Sequence, residues 1–174
     1  DHAINGTPYV PGVMGLEMAG VRLLEPYLGS TIYVWGAIIG IFLGALALGY
    51  FLGGRLADYS PRLRTLGFVI FAAAVWIFAI PPAAVRAGPD IAQELSDPRL
   101  AAFLCSLLLY AVPSLHLGMV SPFAVRLAAR DVGSLGNVAG SLYAISTAGS
   151  ILGTFLVTFV LTELIGTMSI TWGV

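Results

Sequence analysis

The sequence predicts an all-α, polytopic membrane helix bundle of five spans plus the start of a sixth. Two observations carry most of that prediction. Of 174 residues, 58% are hydrophobic and only 10% are charged, whereas ordinary soluble domains are about 25% charged. No Asp, Glu, Lys or Arg falls between Ile32 and Gly54, a run long enough for a helix to cross a hydrocarbon core of ~30 Å. A third observation bears on packing: Gly36, Gly40 and Gly44 recur every fourth residue, with Gly49 and Gly53 repeating the spacing. Such a stripe lines one helical face, and in lipid that face lets a second backbone approach closely.

The remaining composition narrows the function classes. Net charge is −1 and all eight basic residues are arginines, so no basic field points to nucleic acid. The single Cys105 rules out an intrachain disulfide and a cysteine-based metal site. No metal or cofactor is expected. Asp1 to Pro11 lacks a basic start followed by a compact apolar core, so it does not read as a cleavable signal. One transmembrane domain is expected over 1–174, with no separate soluble catalytic domain.

Taken in order, Tyr9 to Leu28 is the first and least apolar span, because it holds Pro11, Glu17, Arg22 and Glu25. The second is Ile32 to Leu56. The third runs from Leu66 to about Ile80, where Pro81-Pro82 is expected to end the helix. Ala83 to Arg99 reads as a hydrophilic loop with room for a short surface helix. The fourth span is Leu100 to Val120, kinked at Pro113 and closed near Pro122. The fifth runs from about Asn137 to Leu161, with Gly136, Gly140, Ala144 and Ala148 as a second small-residue stripe. Thr167 to Val174 begins a sixth apolar segment that stops after about two turns, too short to cross.

Arginine placement predicts orientation. Arg55, Arg62 and Arg64 lie between spans two and three, and Arg126 and Arg130 between four and five; Arg86 and Arg99 are diluted by three acids. The positive-inside rule then puts the first two turns, and with them the N-terminus, in the cytoplasm. Spans two and five are both small-residue striped and adjoin arginine-bearing turns in opposite senses, the relation expected of a three-plus-three inverted repeat.

Within the spans, Glu17 is the sharpest candidate. An intramembrane carboxylate marks a functional site by default, here for a cationic amine or a proton. The plainer reading is an ion pair or hydrogen bond to another helix. His116, three residues past Pro113, reads more readily as a hydrogen-bonded core residue than as a ligand, because a metal site lacks partners. Tyr143, Ser146 and Thr147 form a polar patch that either lines a cavity or bonds to neighbouring helices. Arg55, Asp58, Arg62 and Arg126 are expected to form a structural charge cluster at the cytoplasmic end.

Four blocks carry a family resemblance: GLEMAGVRLLEPYLGS from Gly15 to Ser30; YVWG from Tyr33 and LGYFLGGRLAD from Leu48 to Asp58; PSLHLGMVSPFAVR from Pro113 to Arg126; and AGSLYAISTAGSILGT from Ala139 to Thr154. Together they resemble the membrane domain of bacterial membrane-bound spermidine synthase-like proteins, in which several spans precede a soluble aminopropyltransferase domain. Gly54-Arg-Leu-Ala-Asp58 with Arg62 and Arg64 also resembles the cytoplasmic signature of major facilitator transporters, with Pro61 standing where that pattern has Gly and Tyr59 where it has a base. That second resemblance implies one half of a major facilitator-like fold.

The resemblance implies a bacterial inner-membrane protein with a transporter-type domain that binds or moves a small cation such as a polyamine, in a cavity near Glu17, His116, Tyr143 and Ser146. The alternative is a non-transporting anchor or assembly module for a cytoplasmic aminopropyltransferase. The sequence holds no nucleotide loop after a strand and no acidic pair for an amine substrate, so no enzymatic activity is expected of this chain alone. Expected partners are the lipid bilayer, a polyamine, and a cytoplasmic synthase domain or a second copy of the chain.

Overall fold

The computed structural model describes residues 13–129, 135–156 and 159, with side chains from Gly20 onward. They form five helices: α1 Val13–Leu28, α2 Ile32–Tyr59, α3 Leu63–Glu94, α4 Pro98–Ala128 and α5 Leu135–Phe155. No strand occurs among the described residues. The helices α2 to α5 are long and apolar enough to cross a membrane, which marks an integral membrane protein. The first helix, with 16 residues, is about 24 Å long at 1.5 Å per residue. The sixth apolar segment, Thr167 to Val174, lies outside the described residues, as does the end of the fifth expected span.

Local chemistry sets the helix ends. Gly29 closes α1 with φ 72°, a left-handed position that favours glycine, and its N–H donates to the Glu25 carbonyl at 2.8 Å. Thr31 caps α2, its hydroxyl accepting from the Val34 N–H at 3.4 Å. Asp97 caps α4, accepting from the Arg99 N–H at 2.9 Å, and Pro98 opens that helix where its missing N–H is harmless.

Two expected breaks do not occur. The third helix continues through Pro81, Pro82 and Pro89 to Glu94, so most of the expected Ala83–Arg99 loop is helical. Ile80, Ala84 and Gly88 stay buried on one face across the prolines, and Gly88 packs on the Tyr27 ring of α1. That packing holds the helix together where each proline removes a ladder hydrogen bond. The fourth helix likewise runs through Pro113 and Pro122 to Ala128. Pro113, Ser114, Gly118 and Phe123 are all buried there, so contact rather than propensity again decides the end point.

The bundle is built on α4. It packs along its whole length against α2, next most closely against α3, and more lightly against α1 and α5. The α2–α4 pair is parallel and in steady register. Arg99 reaches Tyr33 at one end, 66 positions apart, and Arg126 reaches Asp58 at the other, 68 positions apart. Between them the Phe42 and Tyr110 rings stack with centroids 5.4 Å apart. The half nearer Arg99 is a bulky core of Val34, Ile38, Phe42, Cys105, Leu109 and Tyr110. The half nearer Arg126 closes by backbone contact at Gly49, Gly53 and Gly118.

That arrangement corrects the expected helix-packing residues. A side chain at Gly36, Gly40, Gly44 or Gly140 would meet nothing within 4 Å among the described residues. The buried face of α2 is Val34, Ile38, Phe42, Ala45, Gly49, Gly53 and Ala57. Gly36 is two residues from Val34, or about 200° round the helix, so its stripe points away from α4. Gly49 and Gly53 belong to the other face, where a Cβ at Gly53 would sit 2.5 Å from the Met119 Cα.

Candidate functional site

Two places in the bundle gather polar side chains. The first lies in the interior of the bundle, on α4 around Tyr110. Ser106, Tyr110 and Ser114 follow one another at four-residue steps, so they share a face. All three are fully buried. The Tyr110 hydroxyl donates to the Gly20 carbonyl of α1 at 3.2 Å. The Ser106 and Ser114 hydroxyls have no hydrogen-bond partner among the described residues. Pro113, one residue before Ser114, has no N–H to give the Leu109 carbonyl. A hydroxyl buried without a partner costs about 1–3 kcal/mol, so this face holds unspent hydrogen-bonding capacity.

The expected site residues distribute unevenly around it. Glu17 belongs to α1, one turn before Gly20 and Val21 and two before Leu24. Gly20, Val21 and Leu24 are the buried positions among residues 20–28 of that helix, and the helical register puts position 17 in line with them. Tyr27 of α1 meets Gly88 near the end of α3, whereas Gly20 meets Tyr110, so α1 runs antiparallel to α4. Three residues before Gly20 is therefore about level with Pro113 and Ser114, at 1.5 Å per residue. The side chain of Glu17 lies outside the described residues.

His116 is held by its own helix. Its Nδ1 stands 2.8 Å from the Val112 carbonyl; a carbonyl only accepts, so Nδ1 carries the proton in that bond. His116 itself is half-buried. Tyr143 is 55% exposed, and Ser146 and Thr147 are exposed beside it on α5. Gly153 is the one buried residue described on that helix, so these hydroxyls line no enclosed cavity among the described residues.

The second polar place is the end where α2 and α4 finish. Asp58 accepts from Arg126 Nε at 3.2 Å, which brings the α2–α3 turn and the end of α4 to the same end of the bundle. Of the expected charge cluster, that pair is formed. Arg55 instead lies over the Phe51 ring, 4.2 Å from its centroid. Arg62 caps α3 in extended conformation and lines a shallow open groove with Pro61, Leu63, Arg64 and Leu127. Arg130 lies outside the described residues.

The sequence reading passed over Tyr110 and Ser106. Their signal was present: a hydroxyl every fourth residue through an otherwise apolar run, which in lipid has to face protein. No protein-family model, no curated protein and no solved structure matches this chain.

Proposed function

We propose that this chain is a transporter-type membrane domain, one half of a major facilitator-like bundle, that binds a small organic cation between α1 and α4. One observation carries the reading: Ser106 and Ser114 are fully buried without partners one turn on either side of Tyr110, the residue that bonds to α1 at Gly20, one turn along that helix from residue 17. A carboxylate in that interior costs several kcal/mol unless it is paired or neutralised, and a bound ammonium meets that need while the serine hydroxyls accept its hydrogens. The resemblance to the membrane domain of spermidine synthase-like proteins makes a polyamine the first candidate. The arginine-rich end formed by Arg55, Arg62, Arg64 and Arg126 faces the cytoplasm of a bacterial inner membrane under the positive-inside rule, and the three-plus-three inverted repeat is part of the same reading.

A second reading, an anchor for a cytoplasmic aminopropyltransferase, is favoured by the locked α2–α4 pair. Backbone contact at Gly49, Gly53 and Gly118 suits a rigid post more than a moving gate.

Spermidine binding to the purified protein separates the two. The cation reading predicts saturable binding that Glu17→Gln weakens at least tenfold, or about 1.4 kcal/mol, and that Ser114→Ala also weakens. The anchor reading predicts no binding and a Glu17→Gln variant that folds as well as or better than the parent. Absence of polyamine binding by the parent chain would defeat the first reading.

A further inference from the structure

The turn between α2 and α3 suggests a second binding place, distinct from the interior face. We propose that it is a headgroup site for an anionic phospholipid, with Arg62 and Arg64 holding the phosphate.

The turn is ordered before any ligand arrives. The Ser60 and Thr65 hydroxyls stand 3.3 Å apart, and the Arg62 N–H donates to the Ser60 carbonyl at 2.8 Å. Of the four arginines described at this end, two are engaged: Arg126 with Asp58 and Arg55 with the Phe51 ring. The side chains of Arg62 and Arg64 make no hydrogen bond or ion pair among the described residues. Both line the groove that Pro61, Leu63 and Leu127 complete.

Two guanidiniums separated by apolar walls match an amphiphile. Arginine presents planar donors that fit phosphate oxygens in pairs, while Leu63 and Leu127 offer surface to the glycerol and first acyl carbons. A small hydrated anion would gain nothing from those leucines. The location also fits a lipid: α2 leaves its charge-free run at Gly54, so the groove lies where the apolar surface ends and headgroups begin. Tyr59, almost fully exposed beside it, is a residue type enriched at that boundary.

Charge favours the anionic class over the neutral one. At this end four described arginines face one carboxylate, Asp58, which Arg126 already neutralises. At the other end Arg22, Arg86 and Arg99 are outnumbered by Glu25, Asp90, Glu94 and Asp97. The same lipid would therefore find attraction at one end of the bundle and mild repulsion at the other.

Native mass spectrometry of the purified protein, titrated with phosphatidylglycerol or phosphatidylcholine, tests the site. The parent chain is expected to hold phosphatidylglycerol at least about tenfold more tightly, since each basic residue near a headgroup adds to the attraction. Arg62→Gln with Arg64→Gln removes the preference, and Arg86→Gln at the other end keeps it. High salt weakens the preference of the unaltered chain, an arm that needs no variant to fold. Equal binding of the two lipids, or a preference that survives the double substitution or high salt, would overturn the site. Displacement of the lipid by inorganic phosphate at modest excess would assign the arginines to a free anion and overturn the lipid.

Discussion

At Gly49 and Gly53 the absence of a side chain is what lets α2 lie on α4. A Cβ at Gly53 would approach both the backbone and the side chain of Met119 within 3 Å, and neither can yield without separating the helices. Gly53→Leu should therefore abolish the folded yield in detergent, while Gly40→Leu, facing open space, should leave it intact. Equal yields would remove the backbone contact from the account. Tyr110 makes a graded probe of the same core. Tyr110→Phe keeps the stack on Phe42 and removes only the bond to Gly20, so it should cost about 1 kcal/mol. Tyr110→Ala also empties a buried ring site and should cost about 3–5 kcal/mol. The two variants are read by thermal or denaturant unfolding in one detergent. The Asp58–Arg126 pair is weaker still: its side chains are 77% and 53% exposed, and a double-mutant cycle should return no more than about 1 kcal/mol.

At the scale of the helix, sequence reasoning succeeded where one residue type had one meaning. The apolar run of α2 and the same-end placement of Asp58 with Arg126 were both legible. It failed where the outcome depends on what lies alongside. Pro81-Pro82 is a stop signal in isolation, yet Ala84 and Gly88 beyond it are buried, and their contacts extend the helix by more than three turns. The glycine stripes failed for a related reason. Two sets at the same spacing lie on opposite faces of α2, and only the partner helix decides which is used. The interior hydroxyls of α4 were readable in principle, because Ser106, Tyr110 and Ser114 are evenly spaced, but nothing in the sequence says that α1 meets Tyr110 at Gly20. If Gly88 holds the far part of α3 onto α1, then Gly88→Leu should expose the α3 residues past Pro82 to amide exchange while α2 and α4 keep their protection. Unchanged exchange past Pro82 would mean that α3 holds that part without the Tyr27 contact.

Across the whole molecule, the outward surface is what water would expose. Phe68, Phe71 and Phe78 on α3 are largely uncovered, Phe78 at 77%, as are Leu43 and Leu48 on α2. Apolar surface on that scale marks contact with lipid or protein, and here it surrounds helices whose lengths exceed a bilayer core. A helix of 28 residues such as α2 extends about 42 Å, so its charged end at Arg55 and Asp58 emerges from the hydrocarbon on one side. The proposed cation site and the proposed phospholipid groove both depend on this one arrangement, in which the Asp58–Arg126 end and the Tyr33–Arg99 end lie on opposite sides of a membrane. Single-cysteine labelling in sealed vesicles measures it directly, in a Cys105→Ala background that removes the buried native thiol. A membrane-impermeant reagent added from one side should label either Ser60→Cys or Ser96→Cys, never both, and lysis should open the second position to it. Labelling of both from the same side, or of neither after lysis, would contradict the bundle as described.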